Sequence, residues 1–225
     1  GTPQTGGVWS PALASGTGIF NPSVDAAGVY TYTVTGTAPC GSISATVTVS
    51  ITPAPNAGTN GTVTLCANSP SQDLFTSLGG TPQTGGVWSP ALASGTGVFN
   101  PAVDAAGVYT YTVTGTSPCA NGTASATVTV NPLPNAGSNG SLVICSNGTP
   151  QDLFTSLGGT PQTGGVWSPA LASGTGVFNP SVDAAGVYTY TVTGTAPCGS
   201  ISASVTVSIT PAPNAGTNGT VTLCA

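Results

Sequence analysis

The stretch Gly107-Val108-Tyr109-Thr110-Tyr111-Thr112-Val113-Thr114-Gly115 alternates two kinds of side chain between two glycines. An alternation of period two is typical of a β-strand with one buried face. The predicted strand directs Tyr109, Tyr111 and Val113 inward and leaves the threonines outside. The same stretch recurs at Gly28–Gly36 and Gly186–Gly194, which indicates that the fold repeats along the chain.

The three copies are evenly spaced, since 109 − 30 = 79 and 188 − 109 = 79 for the first tyrosine of each. Proline pairs recur with the same step, and they mark joints because proline removes ladder donors and favours extended backbone. These joints are Thr52–Pro55, Asn131–Pro134 and Thr210–Pro213. They divide the chain into a partial module (1–55), two complete modules (56–134 and 135–213) and the start of a further module (214–225).

Each module is predicted to be a β-sandwich of about seven strands. Short strand-like runs are separated by glycine, proline and asparagine turns, and no helical period is sustained. The segment Gln72–Leu78 alone has the pattern of a helical turn, with Asp73 as its expected cap. Because Gly1 matches Gly80 in the interior of the repeat, we expect the chain to be a segment of a longer protein.

The composition excludes several classes of function. The 225 residues include no Lys, Arg or His and only five carboxylates, with a net charge of −5. Without cations the chain cannot neutralise phosphates, which argues against nucleic acid and anionic membranes as partners. No apolar run has the roughly 18 to 20 residues of a membrane span, so no membrane insertion is predicted.

Catalysis and metal binding are not predicted. The chain has no basic side chain to act as a general base or an electrophile. The two aspartates of a module, Asp73 and Asp104, are far apart in sequence, since 104 − 73 = 31. Calcium sites usually contain clustered carboxylates, and no aspartate here has an acidic neighbour. We therefore expect no enzyme activity, no catalytic residues, no metal and no cofactor.

Six cysteines without histidine or a CxxC motif predict disulfides and an oxidising, extracellular setting. Two pairing schemes respect the repeat. The wider spacing, 119 − 66 = 53, gives Cys66–Cys119 and Cys145–Cys198 within modules. The narrower spacing, 66 − 40 = 26, crosses the joints and gives Cys40–Cys66, Cys119–Cys145 and Cys198–Cys224.

Chain geometry favours the scheme within modules. A disulfide requires Cα atoms within about 7 Å. Two strands that run in the same direction on either side of a joint would hold Cys40 and Cys66 tens of Å apart, at about 3.3 Å per residue. The sequence therefore predicts Cys66–Cys119 and Cys145–Cys198, with Cys40 and Cys224 paired outside the chain.

The aromatic residues of the repeat are predicted to form the structural core. One tryptophan in each module is either a core residue or a platform for sugar stacking, and one per sandwich favours the core. The predicted core residues are Trp9, Trp88, Trp167, Tyr30, Tyr109 and Tyr188.

The run Asp104-Ala-Ala-Gly-Val-Tyr109-Thr-Tyr111 resembles the Asp-x-Gly-x-Tyr-x-Cys stretch of immunoglobulin-type strands. It has one extra residue after the aspartate and Tyr111 in place of the cysteine. The resemblance implies that Tyr109 is a tyrosine-corner residue and that Asp104 accepts hydrogen bonds in a turn. The inter-sheet disulfide of that family cannot form at Tyr111.

The whole repeat is similar to the Ig-like or PKD-like tandem repeats of very long surface adhesins of gliding bacteria, which are exported by the type IX secretion route. The residues that carry this resemblance are Leu65-Cys66, Gln72–Phe75, Gly86–Trp88, Gly107–Tyr111 and Pro118-Cys119. The resemblance implies an all-β tandem array of Ig-like modules in an extracellular filament or stalk at the cell surface, with a role in cell adhesion and gliding motility.

Three functions are consistent with these patterns. The first is a structural spacer whose partners are neighbouring copies of the repeat, and the lack of Lys and Arg would protect it from trypsin-like proteases. The second is a weak binder of surface polysaccharide that gains avidity from repetition. The third is a self-assembling fibre. Runs such as Ala126–Val130 are uncharged and have a high β-propensity, and the chain has no lysine that would disfavour pairing at exposed strand edges.

Overall fold

The computed structural model describes residues 2–16, 18–95, 97–174 and 176–224. These residues form β-strands and two 3-10 turns, which confirms the all-β prediction. The strands are β1 (Val8–Ser10), β2 (Gly28–Val34), β3 (Ile43–Val49), β4 (Gly61–Cys66), β5 (Gln72–Asp73), β6 (Val87–Ser89), β7 (Val98–Phe99), β8 (Gly107–Val113), β9 (Gly122–Asn131), β10 (Gly140–Cys145), β11 (Gln151–Asp152), β12 (Val166–Ser168), β13 (Val177–Phe178), β14 (Gly186–Val192) and β15 (Ile201–Thr210). The 3-10 turns are Leu74–Ser77 and Leu153–Ser156.

The elements of the two complete modules correspond one to one. β4 begins at Gly61 and β10 at Gly140, and 140 − 61 = 79 is the step of the sequence repeat. Within the described residues each complete module has six strands, against about seven predicted. The alternating stretch that begins at Gly107 forms β8, as its period of two requires.

The chain forms two compact units. The first comprises the chain up to Gly58 together with Thr81–Val87 and Thr112–Thr123. The second comprises Thr59–Gly80, Trp88–Tyr111 and the chain from Ala124 onward. The predicted modules 56–134 and 135–213 therefore do not correspond one to one with these units.

The larger sheet of the last complete module lies in the second unit and has the order β10-β15-β14-β12. β10 runs parallel to β15, with Gly140 opposite Val205 and Cys145 opposite Thr210. β14 is antiparallel to both β15 and β12. A two-stranded sheet of β11 and β13 forms the smaller layer.

The core of this module lies between the two layers. Leu153, Phe178 and Val205 have no exposed surface. Tyr188 and Tyr190 alternate with threonines on β14, and both are buried, as expected for a strand with one inward face. Asp152 caps the 3-10 turn by accepting a hydrogen bond from the Phe154 amide at 2.9 Å, which positions Leu153 over the core.

The first unit contains a three-stranded antiparallel sheet in the order β1-β2-β3. Tyr30 on β2 is buried, but Val47 on β3 is 49% exposed. Its counterpart in the second unit, Val205, is fully buried, with β10 beside it in the sheet and Leu153 of the 3-10 turn in the same core. The described residues of the first unit include no equivalent of these covering elements.

The run Ala126–Val130 is not an edge strand. It lies within β9, which has β4 and β8 as neighbours in the order β4-β9-β8-β6. The parallel strand β4 pairs along the side of β9 that would otherwise be open, from Gly61 opposite Ala126 to Cys66 opposite Asn131. This pairing corrects the expectation that this run offers an edge for lateral assembly.

Candidate functional site at the module joint

A tight turn ends at a cysteine just before the last strand of each module. In the second unit, the amide of Cys198 donates a hydrogen bond to the carbonyl of Thr195 at 2.9 Å. The same turn occurs at Thr116–Cys119 and at Thr37–Cys40, with N···O distances of 2.9 and 2.8 Å. In all three copies the proline before the cysteine follows a cis peptide bond. We call this four-residue segment the Pro–Cys turn.

The second half of the site is the point where the first and last strands of a module end together. β4 ends at Cys66 and its parallel partner β9 ends at Asn131, directly opposite. The amide of Ala67 extends the ladder by donating to the Asn131 carbonyl at 2.9 Å. The parallel pairing therefore brings Cys66 to the proline joint at the end of its own module.

Cys66 forms a disulfide with Cys198, and their Cα atoms are 5.0 Å apart. The bond joins the first strand of one module to the Pro–Cys turn of the next, across the joint Asn131–Pro134. It corrects the predicted pairs Cys66–Cys119 and Cys145–Cys198. The sequence separation of 132 also respects the repeat, since 132 − 79 = 53, but it connects successive modules.

The predicted pairing differs from the structure because the Pro–Cys turn of a module lies at the joint before that module. In the first unit, the Cys119 thiol donates to the Thr52 carbonyl at 3.3 Å. Thr52 corresponds to Asn131, whose carbonyl oxygen lies 3.5 Å from the Cys198 Sγ. Cys119 thus contacts the joint before its own module, whereas Cys66 lies at the joint that follows its own module.

Polar contacts support the disulfide. The side-chain amide of Asn131 donates to the Ala196 carbonyl at 2.7 Å, which ties the end of β9 to the Pro–Cys turn. Cys66 and Cys198 are 3% and 6% exposed, so the bond is shielded from solvent. Among the described residues the other four cysteines are not bonded: Cys119 and Cys145 are half-buried, while Cys40 and Cys224 are exposed.

Asp104 and Tyr109 form a structural corner. The Asp104 carboxylate accepts hydrogen bonds from the amides of Ser94 and Asn100 at 2.9 and 2.7 Å, and the Tyr109 hydroxyl donates to the Ala105 carbonyl at 2.7 Å. Burial raises the pKa of Asp104, but the hydrogen bonds from Asn100 and Ser94 outweigh it and leave the pKa below its ordinary value. The same corner recurs around Asp25 and Asp183.

Burial, followed by the nearby Asp104 carboxylate, raises the pKa of Tyr109. The Tyr109 hydroxyl keeps its proton and donates a hydrogen bond to a backbone carbonyl, while the Asp104 carboxylate stays charged and accepts hydrogen bonds from two backbone amides. The corner therefore has the chemistry of a structural element, not of a catalytic acid–base pair.

The tryptophans lie at the rim of the core. Trp167 is half-buried, and its ring centroid is 5.1 Å from that of Tyr190, at an interplanar angle of 47°. Tyr190 also meets Phe154 at 5.4 Å in an edge-to-face arrangement. Trp88 and Trp9 stand in the same relation to Tyr111 and Tyr32. Each indole thus packs on a tyrosine and leaves part of its surface in solvent.

An open depression of about 460 Å³ lies beside Trp167. Its lining includes Asp152, Phe154 and Gly176, and a Cβ at Gly176 would lie 3.4 Å from the indole Nε1. The depression thus combines an aromatic face with one carboxylate.

In the part of the chain that the structure describes, no three His, Cys, Asp or Glu side chains are grouped in a way that could hold a metal ion. No helix among the described residues is long and apolar enough to cross a membrane.

No protein-family model and no curated protein matches the sequence. Among solved structures, the chain is similar to an I-band fragment, I67–I69, from titin. The two are 17% identical, the match covers 82% of this chain and 75% of that chain, and the TM-score is 0.43.

Proposed function

We propose that the chain is a structural segment of an extracellular fibre, the stalk or filament of a cell-surface adhesin, in which the modules extend and stiffen the fibre. The observation that carries this proposal is the disulfide between Cys66 and Cys198, which links successive modules across the joint. The proline joint alone connects neighbouring modules through one backbone, whereas the disulfide adds a second covalent connection that limits their movement under load.

Composition and chemistry support an extracellular setting. A disulfide persists in oxidising compartments and is rare in the cytosol. The absence of Lys and Arg leaves no site for trypsin-like proteases. The assignment to an adhesin of gliding bacteria, exported by the type IX route, is supported by the sequence resemblance.

Single-molecule stretching of the full chain from its two ends tests this function. In the oxidised chain, force passes from Cys66 directly to Cys198 and bypasses the residues between them. Reduction should add about 460 Å of contour length for the sequence separation of 132, at roughly 3.5 Å per residue. Cys145→Ser, which removes an unbonded cysteine, should behave like the parent chain in both conditions. Equal contour lengths before and after reduction would contradict the proposal.

Binding of surface polysaccharide is a second candidate, because Trp167 exposes part of its ring beside an open depression. Aromatic faces in such depressions can stack on sugar rings, and repetition would raise the avidity. Intrinsic tryptophan fluorescence distinguishes the two functions. A shift or quench of the tryptophan emission on titration with polysaccharide would favour binding. Emission that is insensitive to polysaccharide would favour the spacer.

A further inference from the structure

We propose that Cys145 and the adjacent end of β15 at Thr210 form a docking and cross-linking site for the Pro–Cys turn of a second copy of this chain. The turn that it accepts is Thr37–Cys40, whose cysteine is exposed. This inference deepens the proposed fibre function and rests on it, because it names the partner that continues the array.

Cys145 has the backbone setting of the bonded Cys66. The parallel pair β10 and β15 ends with Cys145 opposite Thr210, as β4 and β9 end with Cys66 opposite Asn131. The amide of Ser146 donates to the Thr210 carbonyl at 2.9 Å, the distance at which Ala67 donates to Asn131. The Thr210 carbonyl and the half-buried Cys145 thiol therefore lie together at this strand end.

A threonine at the joint is sufficient to receive a Pro–Cys turn. Thr210 corresponds to Thr52, since 210 − 52 = 158, twice the repeat. In the first unit the Thr52 carbonyl accepts the Cys119 thiol at 3.3 Å, although no disulfide holds this turn. The turn thus docks on a threonine at the joint position, three residues after the end of β3, through a non-covalent contact.

The two observations are independent and complementary. The contact between Cys119 and Thr52 shows the docking step without a bond. The disulfide Cys66–Cys198 shows that a turn docked at such an end lies within bonding distance of the first-strand cysteine. Thr210 supplies the carbonyl on which a turn can dock, and Cys145 supplies the first-strand cysteine within bonding distance of it. Thr37–Cys40 is the copy of the turn with an exposed cysteine.

The site and the turn lie at different places on one chain, so their contact between copies is heterologous and generates a growing chain instead of a closed dimer. The covalent step requires an oxidant, which we take to be a small disulfide such as oxidised glutathione. The Cys145 and Cys40 thiols lose two protons and two electrons and form one S–S bond. The small disulfide accepts both and leaves as two thiols.

The test incubates the full chain at increasing concentration in a buffer of reduced and oxidised glutathione, followed by non-reducing electrophoresis. A protease that cuts after aromatic residues and leucine then separates peptides, because Leu65, Tyr111, Leu142, Tyr190 and Leu223 divide the six cysteines. We expect a ladder of disulfide-linked species whose cross-linked peptide joins Cys145 to Cys40. Cys145→Ser and Cys40→Ser should each reduce the linked species at least tenfold, whereas Cys224→Ser should leave the ladder unchanged.

Retention of the Cys66–Cys198 peptide in each variant shows that the fold is intact. A ladder that persists in Cys145→Ser, links between two copies of Cys145, or thiols capped by glutathione without any ladder would overturn the inference. These outcomes concern Cys145 and Cys40, whereas the stretching experiment reports on Cys66–Cys198. Failure of this site is therefore distinguishable from failure of the proposed fibre function.

Discussion

Cys66 and Cys198 are bonded with Cα atoms 5.0 Å apart, although their sequence separation is 132. The loop that they close contains most of both complete modules. Because the bond restricts the conformations of the unfolded chain, its removal should lower the stability of both modules.

Cys198→Ser should lower the free energy of unfolding by about 5 kcal/mol in the chain-entropy model for a loop of this length. Urea unfolding without reductant, followed by tryptophan fluorescence, measures the change. Cys145→Ser is the matched control, because it removes a cysteine that is not bonded. Equal unfolding midpoints for the two variants would argue against a stabilising cross-link.

Asp104→Asn should destabilise its module by about 1–3 kcal/mol, because the amide side chain can accept from one of the Ser94 and Asn100 amides but turns a donor toward the other. Asp73→Asn provides the control. Asp73 is exposed and caps a 3-10 turn through the Phe75 amide, and asparagine is an equally good cap. Chemical denaturation should separate the two variants, and a loss as large for Asp73→Asn would disprove this assignment.

Stability should decline in acid because of the buried carboxylates Asp25, Asp104 and Asp183. Their pKa values lie below the ordinary 3.8, so each binds its proton more readily in the unfolded chain. Their stabilisation is complete above the unfolded pKa of 3.8 and is lost as the pH falls through the lower folded values.

Urea midpoints measured from pH 7 to pH 2 should therefore be flat at first and should fall below about pH 4, near the ordinary carboxyl pKa. The double variant Asp104→Asn, Asp183→Asn should be less stable at pH 7 and should show a shallower fall. A parent chain as stable at pH 2 as at pH 7 would contradict the prediction.

Gly140→Ala should cost about 3 kcal/mol, because the new Cβ would overlap the Ser156 carbonyl oxygen, which belongs to the backbone and cannot rotate away. Gly199→Ala is the control, since its Cβ would meet no atom within 4 Å. Thermal unfolding compares the two variants. A Gly140→Ala chain with an unchanged midpoint would show that the 3-10 turn is not held against the start of β10.

Local features of the fold follow from the sequence because they depend on neighbouring residues. The strand that starts at Gly107 follows from alternation with a period of two, and the 3-10 turn after Asp73 follows from a capping residue. The hydrogen bond from Tyr109 to Ala105 joins near neighbours in the chain, so the tyrosine corner could be inferred from a short motif. The rim position of Trp167 could not be inferred, because one tryptophan per sandwich favours the core and no local pattern shows how much of the ring is exposed.

The all-β fold and the cysteine spacing could be predicted from the sequence, since both are visible in the periodicity of the chain. The sequence did not determine the disulfide, because pairs within a module, pairs across a joint and the observed pair all respect the same repeat. The three-dimensional fold selects the observed pair, because the parallel pairing of β4 with β9 brings Cys66 to the same joint as Asn131, where the Pro–Cys turn of the next module lies. Pairing between the first and last strands of a module is a long-range property, and no local pattern encodes it.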